Sequence, residues 1–134
     1  MRVFVDTNVW LAGRFGRGLC ADLLETLVEE SVDILIDERV REEFRRIGSE
    51  KFRVDDRTLD EADIFFRRYT RILPANDHPV SLVPDADDAL ILAAALYGSA
   101  DVFVTGDKAL IALESIESMQ VLDPRSIYMR LRGL

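Results

Sequence analysis

A chain of 134 residues that is 49% hydrophobic is the size of one domain with enough apolar content for a core. Its formal net charge of −8, from 25 acidic against 17 basic residues, repels nucleic acid unless charge is redistributed locally or a cation is bound. The single cysteine, Cys20, excludes an internal disulfide and a cysteine-based zinc site. The longest apolar run, Ala89 to Tyr97, is far shorter than the roughly 20 residues that span a bilayer. With no apolar signal segment after Met1, a cytoplasmic protein with no membrane contact is expected.

In chain order, Arg2 to Val5 reads as a strand covered on both faces, because Val3, Phe4 and Val5 are β-branched or aromatic and uninterrupted. Asp6, Thr7 and Asn8 follow at its carboxyl end, where open α/β sheets keep their ligands. Helix capping by Asp6 or Thr7 would account for the same residues. After Val9 to Ala12, the three glycines of residues 13–18 predict a flexible connection carrying Arg14 and Arg17. Leu19, Leu23, Leu24, Leu27 and Val28 recur at helical spacing, so Leu19 to Glu30 is expected as an amphipathic helix. Val32 to Ile36 then supplies a second strand and closes a βαβ unit.

Asp37 can cap the next helix, whose apolar stripe is Val40, Phe44 and Ile47, with the Glu43 carboxylate beside that stripe. A solvated edge position explains Glu43 equally well. Past a polar break at residues 51–56, Leu59, Ala62, Ile64, Phe65, Phe66 and Tyr69 predict a helix ending near Ile72. Pro74 to Pro79 reads as loop and holds His78, the only histidine, which argues against histidine-dependent triads. Val80 to Val83 reads as a short strand between prolines.

From Ala89 onward the next helix is apolar on every side and therefore buried. Asp85 suits its N-cap, but Asp88 continues the line of Ile91, Leu92 and Ala95, where an unpaired carboxylate is costly. Asp101 to Asp107 repeats the opening design, an apolar strand followed by Thr105, Gly106 and an acid. A helix from Lys108 to about Glu117, a strand from Met119 to Leu122 and a helix from Pro124 through Arg132 complete the chain.

Asp6, Glu43, Asp88 and Asp107 thus fall at equivalent places, all toward one edge of a parallel sheet. If the second strand lies on one side of the first and the Asp101 strand on the other, strand order reverses beside Asp6 and opens a crevice there. Clustered carboxylates raise one another's pKa unless cations neutralise them. Oxygen-only ligands favour Mg²⁺ or Mn²⁺, ions suited to hydrolysing phosphodiesters. Arg14 and Arg17, then Arg41, Arg45, Arg46, Lys51 and Arg53, are candidate contacts to a phosphate backbone or, more blandly, solvated charges.

Asp6-Thr7-Asn8, Glu42-Glu43-Phe44, Asp88-Ala89-Leu90-Ile91 and Thr105-Gly106-Asp107 resemble, in order, the four acidic motifs of PIN-domain ribonucleases. The likeness runs from about Arg2 to Pro124 and is strongest to the toxin component (VapC-like) of type II toxin-antitoxin pairs. The resemblance implies an α/β fold, a single PIN-like domain over residues 1–134 with a central parallel sheet of four to five strands sandwiched by helices. It implies metal-dependent RNA cleavage with Asp6, Glu43, Asp88 and Asp107 as catalytic and metal-holding residues, supported by Asn8, Thr105 and Asp85. It also implies a homodimer, for which Phe65, Phe66, Tyr69 and Ile72 offer apolar surface, and a cognate antitoxin partner. Asp37 departs from the pattern, standing where a small hydroxyl residue is expected.

Two other readings fit part of the pattern. A haloacid-dehalogenase-like phosphatase would also end its first strand in an acid, but it needs a second aspartate where this chain has Asn8. A non-catalytic PIN-like module binding RNA or protein would have no need of all four acids.

Overall fold

The computed structural model describes residues 1–75, 78–80 and 83–134. Its elements are β1 (Arg2–Val5), α1 (Thr7–Phe15), α2 (Leu19–Glu29), β2 (Asp33–Asp37), α3 (Glu38–Glu50), α4 (Asp56–Tyr69), β3 (Thr70–Leu73), α5 (Ala86–Tyr97), β4 (Val102–Val104), α6 (Lys108–Ile111), β5 (Ser115–Ile116), β6 (Met119–Leu122) and α7 (Pro124–Leu131). The chain is thus an α/β fold whose sheet is almost wholly parallel. The expected Val80 to Val83 strand includes Ser81 and Leu82 and so lies outside the described residues.

Val3, Phe4 and Val5 are fully buried, as are Leu35, Ile36, Phe103 and Val104, which is what strands covered on both faces require. The six strands run in the order β3-β2-β1-β4-β6-β5. β1 pairs in parallel with β2 on one side and β4 on the other. Successive connections therefore leave β1 in opposite directions, and the expected switch point lies at its carboxyl end. Phe4 and Phe103 stack across the β1–β4 seam with ring centroids 5.4 Å apart. Among the helices, Trp10 of α1 and Phe44 of α3 both meet Phe66 of α4 edge-on, at 4.9 and 5.1 Å between centroids, a geometry favoured by the ring quadrupoles.

Three elements differ from the sequence expectation. Gly13 and Arg14 belong to α1, so the break is confined to residues 16–18. Gly13 serves packing rather than flexibility: a Cβ there would stand 2.4 Å from Leu24 Cδ1 and 3.0 Å from the Cys20 carbonyl oxygen. The helix expected to end near Ile72 stops at Tyr69, and Thr70 to Leu73 form β3 against β2. There Ile72 pairs with Ile36 and Leu73 with Asp37, so pairing with a buried strand outweighs continuation of a helical pattern. The helix after Asp107 lasts only to Ile111, because Glu114 and Glu117 adopt left-handed conformations (φ 62° and 52°) and turn the chain into a β5–β6 hairpin. That antiparallel pair, Ile116 opposite Met119, adds a sixth strand to the expected parallel sheet, whose five parallel strands are β3, β2, β1, β4 and β6. Among the described residues no helix is long and apolar enough to cross a membrane.

Candidate active site

Asp6 leaves β1 with its backbone N–H bonded to the Val104 carbonyl at 2.9 Å, which fixes the end of β1 against the end of β4. Its side chain is only 6% exposed. Oδ1 accepts from the Thr7 N–H at 2.8 Å, while Oδ2 accepts from the Thr105 hydroxyl at 2.8 Å and from Asn8 Nδ2 at 3.2 Å. The same Thr105 hydroxyl oxygen accepts from the Asp107 N–H at 3.1 Å, and Asn8 Oδ1 accepts from the Gly106 N–H at 3.0 Å. Asn8 and Thr105 therefore brace the two acidic turns against each other. Capping and site-building are not alternatives at Asp6, since one carboxylate does both.

Asp107 caps α6 through Oδ1, which accepts from the Ala109 and Leu110 N–H groups at 2.8 and 3.4 Å. On α5, Asp85 is the N-cap and its Oδ1 accepts from the Asp88 N–H at 3.0 Å. Asp85 thus orients the backbone that carries Asp88 and is itself exposed. Glu43 is half-buried on α3 beside Phe44.

Electrostatics tie these groups together. The Asp6 carboxyl is pushed above its ordinary value mainly by burial, with the Thr105 and Thr7 hydrogen bonds opposing and the charges of Glu43 and Asp107 adding to the rise. Asp88 is pushed up to about 6, again mainly by burial and then by Asp85, Asp6, Asp107 and Glu43. Asp6 and Asp88 thus each feel the charges of Glu43 and Asp107. As posed, no three acidic, histidine or cysteine side chains among the described residues form a ready-made cation cage. The donor set is oxygen-only and strained by like charge, which fits Mg²⁺ or Mn²⁺ drawing the side chains inward.

Asp37 plays a different part. It is fully buried and caps α3, with Oδ1 accepting from the Val40 N–H at 2.8 Å. Its Oδ2 is buried without a hydrogen bond among the described residues. Burial pushes its carboxyl up to about 6, against hydrogen bonding from Val40 and the charge of Arg39; Glu38 adds to the rise. Its main electrostatic neighbours are therefore not the acids around Asp6.

The basic residues divide. Arg14 lies on α1, its guanidinium 4.8 Å from the centre of the Phe65 ring, and Arg17 is exposed in the turn after α1. Arg41 is held by Asp63 and Glu38, and Arg45 by Asp60 at 2.9 Å, so both face α4 across an ion-paired groove. Arg46, 3.9 Å from Glu50, also lines a cleft of about 270 Å³ with Arg39, Glu43, Asp87 and Ile91. Arg39 was not singled out from sequence, yet it stands one helical turn before Glu43, a spacing that places both on one side of α3.

Of the apolar residues expected to form a dimer face, Phe66 is 1% exposed and belongs to the core. Phe65 packs against Trp10 and Tyr69. Tyr69 is 41% exposed and Ile64 61%.

The sequence matches the PIN domain family over residues 2–109. No curated protein matches it. Among solved structures it is similar to VapBC2 from Rickettsia felis, bound to a DNA fragment from their promoter, at 18% identity and a TM-score of 0.65, covering 92% of this chain and 98% of that one. It is similar to FitAcB from Neisseria gonorrhoeae at 18% identity and a TM-score of 0.60, with the same coverage of 92% and 98%. Similarity to the PIN domain endonuclease Utp24 is at 20% identity and a TM-score of 0.54, covering 91% of this chain and 84% of that one. At such identities the likeness is one of fold.

Proposed function

The chain belongs to the PIN domain family, and we propose that it is a divalent-metal-dependent endoribonuclease, the toxin of a toxin-antitoxin pair. The observation that carries this reading is that Thr105 and Asn8 lock the turn bearing Asp6 to the turn bearing Asp107, with the carboxyls of Asp6 and Asp88 pushed up beside them. Similarity to VapBC2, FitAcB and the endonuclease Utp24 supports it.

Asp6, Glu43, Asp88 and Asp107 are the residues that would hold Mg²⁺ or Mn²⁺. The ion would orient water and offset charge on the scissile phosphate. Thr105 and Asn8 both donate to Asp6 Oδ2 and so fix the orientation of the carboxylate. Asp88, whose carboxyl is pushed up to about 6 mainly by burial and then by Asp85 and Asp6, would have to lose its proton to serve as a ligand. Arg39 and Arg46, on the Glu43 side, neutralise backbone phosphates that the carboxylates would otherwise repel.

A phosphatase of the haloacid-dehalogenase type is disfavoured by Asn8, whose amide nitrogen donates to Asp6 and whose oxygen accepts from Gly106. That amide is committed to bracing and has no proton to exchange. A homodimer through exposed Ile64 and Tyr69 of α4 and a cognate antitoxin complete the proposal. Light scattering at micromolar concentration tests the dimer; a monomer would remove it.

The nuclease reading is tested by incubating the protein with single-stranded RNA, structured RNA and a small phosphate ester, each with Mg²⁺, Mn²⁺ or chelator. Cleavage of single-stranded RNA only with metal is expected. Equal cleavage in chelator, or ester hydrolysis with intact RNA, would overturn it.

A further inference from the structure

Of the candidate phosphate-binding residues read from sequence, Arg41 and Arg45 are paired with acids of α4. Among the cations with no ion pair among the described residues, Lys108 and Arg125 line one cleft of about 540 Å³. This cleft lies where the start of α2, α6 and the start of α7 meet, and Gly106 forms part of its wall. Gly106 is held by Asn8 and precedes Asp107, so the cleft opens directly beside the acidic edge. Its floor is mainly apolar, with Cys20 and Ile111. The one acid in it, Asp123, is occupied as the cap of α7, accepting from the Ser126 N–H at 2.7 Å.

We propose that this cleft is a nucleotide subsite: it takes the nucleotide next to the scissile phosphate, with Lys108 and Arg125 on the adjoining backbone phosphate and the base against Cys20 and Ile111. The inference rests on the nuclease reading and deepens it. The volume is within the roughly 300–1,000 Å³ of ordinary ligand pockets and accommodates one nucleoside. A negatively charged strand crossing a carboxylate edge needs cations on both sides of it. Arg39 and Arg46 stand on the Glu43 side, and Lys108 and Arg125 on the Asp107 side. No aromatic ring lines the cleft, so the base is held by apolar contact and not by stacking.

The test is steady-state cleavage of a fluorogenic ten-nucleotide single-stranded RNA with Mn²⁺ over a salt series. The wild type is compared with Lys108→Ala/Arg125→Ala and with Arg45→Ala as control. The double variant is expected to raise KM about tenfold with kcat nearly unchanged. It should also flatten the log–log salt dependence of kcat/KM by about 0.7, the value for one phosphate contact on a single strand. Arg45→Ala should match the wild type. Because Cys20 is the only cysteine, its alkylation by N-ethylmaleimide at pH 8.5 reports the floor directly, and saturating RNA should slow it several-fold. Unchanged KM and salt slope in the double variant, or equal alkylation with and without RNA, overturns the subsite while leaving the nuclease reading standing. A wild type that cleaves no RNA overturns both.

Discussion

Asp6 gathers more interactions than any other side chain of the acidic edge, and its substitution separates charge from shape. Asp6→Asn keeps the volume but removes the negative charge that a cation needs. A loss of several kcal/mol in transition-state stabilisation, about 10³-fold in kcat/KM, is expected. The melting temperature should move little, because neutralising a carboxyl that burial already holds above its ordinary value offsets the mismatched hydrogen bonds. Thr105→Val is the complementary change. It removes the donor to Asp6 Oδ2 and the acceptor for the Asp107 N–H, leaving a buried acceptor short of a partner at about 1–3 kcal/mol. Mn²⁺ affinity should drop about 10–100-fold, as read by calorimetric titration.

Asp37 is where one residue sets a pH dependence. Its carboxyl rises from 3.8 to about 6 on folding, so between those values the native state holds more protons than the unfolded chain. Stability therefore falls as pH rises through that window, and the penalty is fully present above about pH 6. Asp37→Ser keeps an acceptor for the Val40 N–H and removes both the charge and the unpaired oxygen. Urea unfolding should show the serine variant more stable by about 1–3 kcal/mol at pH 7, with the gain gone near pH 4. An equal gain at both pH values would mean that charge is not the cause.

Elements were legible where one local signal agreed with the tertiary environment. The run Val3 to Val5, the caps Asp37 and Asp85, and Pro124 at the start of α7 each say the same thing locally and in the fold. Misreadings arose where partners distant in sequence decide the outcome. Gly13 looks like a hinge until Leu24 is seen to occupy the space of its missing Cβ. Thr70 to Leu73 looks like the tail of α4 until β2 is alongside to pair with it. Ser115 and Ile116 look helical until β6 supplies a partner. The Gly13 reading has a direct check: Gly13→Ala adds helix propensity worth about 1 kcal/mol, but overpacking costs about 1–3 kcal/mol. A net loss of stability is expected in urea unfolding; a gain would mean that α1 and α2 can part freely.

On the scale of the whole molecule, the elements that carry the four acids could be read from chain order: Asp6 and Asp107 follow strands, Asp88 opens a helix, and Glu43 lies within α3. The commitment of the basic residues could not. Arg41 and Arg45 are on the right helix, but Asp63 and Asp60 of α4 claim them, and that depends on how α3 and α4 pack. The molecule remains acidic overall, so under the proposed function an approach to RNA would depend on a bound cation and on the cations flanking the edge.

Calorimetric titration of the wild type and Asp6→Asn with Mn²⁺ at pH 5 and 7.5 tests most directly whether the four carboxylates form one cation site. At pH 7.5 the wild type should bind saturably. At pH 5 binding should weaken and be accompanied by proton release to the buffer as the metal displaces the proton of Asp88, whose carboxyl is pushed up to about 6. Asp6→Asn should show no specific heat at either pH. Equal binding by Asp6→Asn, or wild-type binding that is the same at both pH values, would contradict a shared site at Asp6, Glu43, Asp88 and Asp107.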